Sequence, residues 1–418
     1  MDSAGREMRG PSLRILVSID TLYGPGFAGM QRVAQETCRR LVARGHFVTV
    51  LVAGRNDDPL VDEVDGVRVV RYDAEGGAVR AMRASASAAK GIIEGERIDV
   101  VHAHFAYSAL GPSFAALRAK VPIVRTYHGA WDAEARAERR TRRKPSDVAG
   151  DALRYLIELA SLRSANAVAT LSNYSAEQVR RRFGIAASRI AVLTGGVDLE
   201  GFAVASSKPA ERANLGVATT GPLIVAVGRL VARKGFDRFI EALRLARDRI
   251  APFTALIVGD GPEREALERA VVASGLKDVV TFTGRIEPQL VGAYMRAANL
   301  AVVPSLDLET FGLVTIEALG SGTPVVVTPV GASREIVNAL EPRLVSASTA
   351  APAIAANLVS FFNDTWAARL TPEFLRSFVE QRYSWDLHAS GMEDLLRSAA
   401  GRRESGKSPF GQRKWKFT

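Results

Sequence analysis

The sequence predicts an α/β protein made of two doubly wound parallel-sheet domains that face each other across a cleft. Three observations carry the prediction. Short runs of β-branched and aliphatic residues alternate with helical stretches along most of the chain. Near-continuous apolar strands separated by helices are the pattern of a parallel sheet covered on both faces. The rhythm restarts after about residue 200, which makes two series of strand–helix units rather than one long series. The 418 residues exceed what one core usually holds and suit two. Both halves are therefore expected to be Rossmann-like, the first over residues 1–200 and the second over 201–385.

Taken in chain order, strands are expected at 13–19, 47–52, 67–71, 99–102, 123–127 and 167–171, with periodic helical segments such as 31–44 and 85–94 between them. The second series places strands at 223–227, 254–258, 279–283, 300–303 and 324–328. The stretch 198–221 contains Ser-Ser-Lys-Pro and Thr-Thr-Gly-Pro and has weaker periodicity, so it reads as the joint. From 401 to 418 the chain is basic, polar and Gly/Ser-rich and reads as a disordered tail. Trp415 and Phe417 sit there among lysines, an alternative point of contact for a membrane or a partner.

Composition narrows the class. With 47% hydrophobic and 24% charged residues the chain is an ordinary folded protein, and no run reaches the roughly 18 apolar residues of a membrane span. The polar start, MDSAGREMRGPS, lacks the apolar core of a signal peptide. Cys38 is the single cysteine and falls in a helical pattern as a buried thiol. The expected compartment is cytoplasmic. The net charge of +10 fits an acidic partner, whether a sugar nucleotide, an anionic lipid surface or a nucleic acid, and fits equally a solvated basic surface.

The strongest chemical signal is SLDLETFGLVTIEALGSGTPVVV. Glu309 lies on the loop after a strand, the chain turns into a helix at Phe311, Gly312 and Leu313, and Glu317 follows about a turn and a half inside. A helix start offers unpaired N–H groups and a positive dipole end, which suits a diphosphate. A carboxylate further along can accept from two vicinal ribose hydroxyls. In VAVGRLVARKGFDRF, Gly228 allows a tight turn and Arg229 and Lys234 supply two cations at the carboxyl end of a strand, where open α/β sheets bind ligands. Arg233 reads as a surface cation. Gly259 in LIVGDGP follows one strand, where glycine lets the backbone approach a ligand or simply makes the turn, and TFTGRI ends another with Arg285 and Ile286, where a base could sit. At the other end of the chain, GPGFAG before the first helix reads as a Gly-rich turn able to approach a pyrophosphate, with Gly29 nearest the helix. His102 and His104 are two apart on a strand end and read as structural, without the further ligand a metal needs. His128, before Gly129, stands at a strand's carboxyl end facing the cleft.

These motifs together resemble the large family of retaining glycosyltransferases with the GT-B fold, family 4. VGRL-x3-KG, GDGP, the spaced Glu pair and GTPVV occur in the family's order, and HAHF, TYHG, SNYSAEQV and GGVD fill the expected first-domain positions. The segment WDLHASGMEDLLRSA resembles the family's last helix, implying a crossover onto the first domain over 386–400. The resemblance implies that Arg229 and Lys234 hold the donor diphosphate and that Glu317 binds the ribose. It implies phosphate contacts from the amides near Phe311, Gly312 and Leu313. Glu309 and His128 then face the transferred sugar, and Gly29 closes over the pyrophosphate. It also implies a nucleotide-sugar donor, a hydroxyl acceptor, retention by same-face attack, and no metal or other cofactor, the two cations stabilising the leaving group. The sequence departs from the family at Ala28-Gly29, where Gly-Gly is common, at GGVD, where NGVD is common, and at GASREIV, which keeps Glu335.

The basic clusters Arg139 to Lys144 and Arg180 to Arg182 lie in the half that handles the acceptor. Two readings stand side by side: a peripheral site on an anionic membrane, with a lipid-linked acceptor, or a solvated helix face, with a soluble small-molecule acceptor. An epimerase or hydrolase of sugar nucleotides is a rival on the same fold. A nucleic-acid partner is not expected, because aromatic content is only 7% and no recognised module is present.

Overall fold

The computed structural model describes residues 11–21, 29–54, 58–138, 144–217 and 221–405. Its first sheet contains β1 (Arg14–Ser18), β2 (Phe47–Gly54), β3 (Val61–Val64), β4 (Val67–Asp73), β5 (Val100–Ala103), β6 (Ile123–Tyr127), β7 (Ala167–Thr170) and β8 (Ile190–Val192). They lie in the order β3-β4-β2-β1-β5-β6-β7-β8. The second sheet contains β9 (Leu223–Val227), β10 (Thr254–Val258), β11 (Val280–Gly284), β12 (Leu300–Val303) and β13 (Val325–Val327), in the order β11-β10-β9-β12-β13. Every neighbouring pair is parallel except β3 against β4. The two sheets are the two Rossmann-like domains the sequence implied.

Expected and observed strands agree within two residues, and 123–127, 223–227, 254–258 and 300–303 coincide. These are strands with both faces buried, so a plain apolar run marks them. Two strands escaped that reading. β3, Val-Asp-Glu-Val, is an exposed edge strand whose charged residues hide the apolar pattern. It is joined to β4 through Asp65 and Gly66, both at positive φ, the two-residue hairpin turn that Asp-Gly favours. β8 is only three residues long. The helix Ala78–Glu96 also begins seven residues before the expected 85, because its alanine-rich first turns carry propensity without a strong stripe.

The joint is shorter than expected. Residues Lys208–Asn214 form a helix, and Arg212 fastens it to the second domain through Ala297 O (3.0 Å), Gly221 O (3.1 Å) and Asn299 Oδ1 (2.6 Å). The last helix runs Trp385–Ser405, five residues into the stretch expected to be disordered. The remaining tail, with Trp415 and Phe417, lies outside the described residues, as does most of the cluster from Arg139 to Lys144. Met392, Leu395, Leu396 and Ala399 of this helix join the core formed by β1 and β2, so a segment that follows the second domain is packed into the first. Val197 N donates to Tyr383 O (3.0 Å) where the two passages between domains cross. Among the described residues no helix is long and apolar enough to cross a membrane.

His388 illustrates what that docking does. Its ring is buried against Thr37 Oγ1 (3.1 Å) and Thr194 O (3.1 Å), and burial lowers it from 6.5 to about 4. The folded value lies below the unfolded one, so the neutral ring contributes stability that is present above pH 6.5 and lost as pH falls toward 4. In urea melts, the stability difference between the protein and His388→Gln is expected to shrink on acidification by about 1.4 kcal/mol per pH unit in that window. An unchanged difference at pH 7.5 and pH 5 would contradict the account.

Candidate active site

The carboxyl ends of β9, β10 and β11 are built on glycine so that backbones can come close. Gly259 has φ +136, and a β-carbon there would stand 2.0 Å from Gly228 O. Its amide donates to Gly284 O (3.0 Å), tying the three strand ends together. Gly259→Ala is expected to cost at least about 2 kcal/mol, since the clash is with backbone and φ is unsuited to alanine. Chemical denaturation tests it, and a loss under about 0.5 kcal/mol, the range of an ordinary surface substitution, would show that the strand ends can spread.

Beyond Gly228 the chain carries Arg229 into the cleft, and a 3₁₀ turn, Ala232–Lys234, delivers Lys234 to the loop after β12. Lys234 Nζ donates to Glu309 Oε2 (2.7 Å), and Ser305 Oγ donates to the same oxygen (2.8 Å). Burial pushes the Glu309 carboxyl up, but the lysine charge and the two hydrogen bonds outweigh it and hold the group below its ordinary value. Leu308, just before it, is buried with φ +55, an unfavourable backbone for leucine that the packed loop enforces.

The helix Leu313–Gly320 follows, capped by Gly312 at φ +82. Its first amides face outward from the helix start, and Glu317 is buried within it. Gly29 is brought to this same point: a β-carbon on it would lie 2.8 Å from Leu313 Cδ1. Gly24 and Gly26 lie outside the described residues; with Gly29 they follow the spacing G-x-G-x-x-G in the sequence. Phe311 packs against Gly195, where a β-carbon would be 2.6 Å from its ring. That contact accounts for glycine at 195 in this chain.

Several contacts around the cleft were not read from the sequence. Arg32 Nη1 pairs with Glu317 Oε1 (2.8 Å) across the domains. Burial raises the Glu317 carboxyl, and Arg32 only partly offsets it. Arg229 Nη1 pairs with Glu138 Oε1 (3.0 Å) of the first domain. Arg233, expected on the surface, is instead mostly buried, with Nη1 3.4 Å from Leu308 O and Nε 4.0 Å from Glu138. The SNYSAEQV motif is a dock between domains. Ser172 and Ser175 hydroxyls donate to Thr310 O (2.6 and 2.9 Å), and Glu335 accepts from the amides of Asn173 (3.1 Å) and Tyr174 (2.5 Å). Opposite charges spaced by the fold rather than by the chain left no local signal.

His128, at the carboxyl end of β6, is half-buried at the cleft edge; three residues on, Trp131 packs against Phe105 and Tyr107, with ring centroids 5.1 and 6.5 Å away. Arg285 is exposed and Ile286 half-buried at the end of β11, two strands from β9. Among the described residues neither shares a hydrogen bond or ion pair with Arg229, Lys234 or Glu317. Among the described residues no three His, Cys, Asp or Glu side chains form a metal-ligating group.

A pair of facing Rossmann-like domains, with cations at one strand end and a buried carboxylate inside the adjoining helix, is the arrangement of a GT-B glycosyltransferase. Residues 27–200 match Glycosyltransferase Family 4 and residues 207–385 match Glycosyl transferases group 1. The chain is 30% identical to a D-inositol 3-phosphate glycosyltransferase of Xylanimonas cellulosilytica, over 94% of this chain and 98% of that one. It is 33% identical to a 2-deoxystreptamine glucosyltransferase of Streptomyces kanamyceticus, over 46% and 50%. In structure it resembles a sucrose-phosphate synthase from Thermosynechococcus elongatus (TM-score 0.76, 24% identity, 93% and 98% covered) and Anabaena Alr3699/HepE in complex with UDP (TM-score 0.74, 20% identity, 92% and 100% covered). The chain belongs to glycosyltransferase family 4. It is an enzyme that moves a sugar from a nucleotide-sugar donor to an acceptor.

Proposed function

We propose that the protein transfers a hexose, with retention at the anomeric carbon and without a metal, from a nucleoside-diphosphate sugar to a hydroxyl of a cyclitol-type acceptor. The observation that carries the donor half is the gathering of Arg229, Lys234, the start of the Leu313–Gly320 helix and the buried Glu317 along one edge of the cleft. Arg229, Lys234 and the helix amides take up the diphosphate charge as the bond from the anomeric carbon to the phosphate oxygen breaks. Glu317 accepts from ribose hydroxyls, and Gly259, Arg285 and Ile286 border the base. The acceptor hydroxyl attacks the same face and gives its proton to the departing phosphate oxygen. Glu309 has one oxygen taken by Lys234 and Ser305, which supports an electrostatic role beside the sugar, with His128, over that of a covalent nucleophile.

The acceptor class draws on the names of two relatives, since inositol and 2-deoxystreptamine are both hydroxylated cyclohexane rings. The Trp131, Phe105 and Tyr107 cluster offers such a ring an aromatic wall. A thermal-shift screen of UDP, GDP, ADP, dTDP and their common sugars, with and without chelator, tests the donor half. A chelator-insensitive shift lost in Arg229→Ala and Glu317→Ala is expected, and no shift with any nucleotide would overturn it. Transfer onto inositol 3-phosphate, inositol or 2-deoxystreptamine, with the product's anomeric configuration read by NMR, tests the rest.

A second reading, a peripheral enzyme with a lipid-borne acceptor, is favoured by Leu153 and Leu156. Both are more than half exposed on the helix Pro145–Ser164 beside Arg154, an apolar and basic combination suited to an anionic bilayer surface. Co-sedimentation with anionic liposomes that weakens in salt and in Leu153→Ser/Leu156→Ser would support it. Indifference to lipid charge would remove it.

A further inference from the structure

Behind His128 stands a second histidine that the transfer chemistry does not use. His104 is fully buried at the carboxyl end of β5, and His128 ends the neighbouring β6. His104 Nδ1 and His128 Nε2 are 3.0 Å apart, with the rings stacked at 23° and their centroids 5.3 Å apart. The Arg125 guanidinium holds the backbone here, donating to the carbonyls of His104 and Thr126. Burial, and then the charges around them, push both imidazoles well below their ordinary value, so both are neutral near pH 7.

Two neutral rings share one proton across such a contact, and it can sit on either side. If His128 Nε2–H donates, the proton of His104 resides on Nε2. That atom is buried and has no hydrogen-bond partner among the described residues. If His104 Nδ1–H donates, the same Nε2 is left as a bare lone pair. A buried N–H without an acceptor is the rarer and costlier defect of the two. The second arrangement therefore prevails, and it has a consequence one ring away: a neutral His128 whose Nε2 is accepting must carry its own proton on Nδ1.

We infer that His104 is a positioning residue, which donates from Nδ1 to His128 Nε2 and so locks His128 with its remaining N–H on Nδ1. In that state His128 is an uncharged donor of fixed direction toward a substrate oxygen. The inference rests on the reading that His128 faces the transferred sugar. The alternative is a histidine that only fills space between two strands, for which the proton's location is indifferent.

The protein labelled with 15N-histidine distinguishes them by long-range proton–nitrogen NMR at pH 7.5, with assignment by single replacement of the five histidines. His128 is expected to show a protonated Nδ1 and a bare Nε2. His104→Asn keeps an N–H donor near the Nδ1 position and is expected to preserve that pattern. It should also keep release of nucleoside diphosphate from UDP-glucose or GDP-mannose within about threefold of the parent. His104→Leu removes the donor, and is expected to mix the His128 tautomers and lower kcat about 10- to 100-fold at nearly constant donor KM, the modest end of the range for a misdirected proton donor. A His128 protonated on Nε2 in the unaltered protein would overturn the inference, as would His104→Leu with parental tautomer and turnover. His128→Ala with undiminished turnover would instead remove the sugar-facing reading, while the tautomer measurement stands by itself.

Discussion

Lys234→Met is expected to lower stability by about 3 kcal/mol and turnover by at least about 100-fold. The two losses have different causes. Glu309 is buried, and its ionised form is held by the Lys234 ammonium, 2.7 Å away, with Ser305 as its other partner. Removing the ammonium leaves a carboxylate in a poorly solvated loop, and breaking a buried pair in this way costs about 3–5 kcal/mol. The lower figure applies because the lysine keeps 21% exposure. In a domain of this size the change corresponds to a fall in Tm of about 6–12 °C. Adding Glu309→Gln removes the stranded charge, so the double variant should regain most of the lost Tm. Turnover should not return with it, because the cation proposed to meet the diphosphate is still missing. Thermal melts and initial rates on the parent, both single variants and the double variant check the scheme. Recovery of activity together with stability would mean that Lys234 serves only to neutralise Glu309.

Arg125→Met should destabilise by about 4 kcal/mol or more, the larger of the two effects on folding. Arg125 and Glu158 are 2% and 1% exposed and pair at 3.0 Å, and the same guanidinium bonds Ser161 Oγ (3.0 Å) and the carbonyls of His104 and Thr126. Burial raises Glu158 to about 7 even with Arg125 pulling it down. Without the arginine the carboxyl rises further and takes up a proton, which limits the loss but leaves the carbonyls without their donor. Arg125→Met/Glu158→Leu should therefore recover only part of the stability, unlike the Lys234 and Glu309 pair. It should also fall short in turnover below its melting temperature, since the loop that places His104 and His128 has lost its anchor. Full recovery in urea melts would show that the carbonyls find other partners.

The two cases differ in how far the sequence reveals them. Lys234 and Glu309 each sit in a motif of recognisable order, on loops after apolar strands. Arg125 is one charged residue inside the otherwise apolar run IVRTY, and Glu158 is one of many polar residues in a helix. Nothing within the chain's local pattern says that they meet. The same holds for Arg32 with Glu317 and for Arg229 with Glu138, whose partners are separated by 285 and 91 residues.

The sequence by itself determined the two-sheet architecture, the address of Arg229, Gly259 and Glu309 beyond the carboxyl ends of strands, and the family. The physical reason is that strands buried on both faces must be apolar over their length, and that phosphate-binding turns need glycine and cations at set local spacings. Only the tertiary structure decided the hairpin edge β3, the helical extension to Ser405 and the burial of Arg233. It alone decided the dock of Ser172 and Ser175 on Thr310 and the stacking of His104 on His128. Those features depend on contacts between segments far apart in the chain, where opposing charges and hydrogen-bonding groups meet only after both sheets have packed.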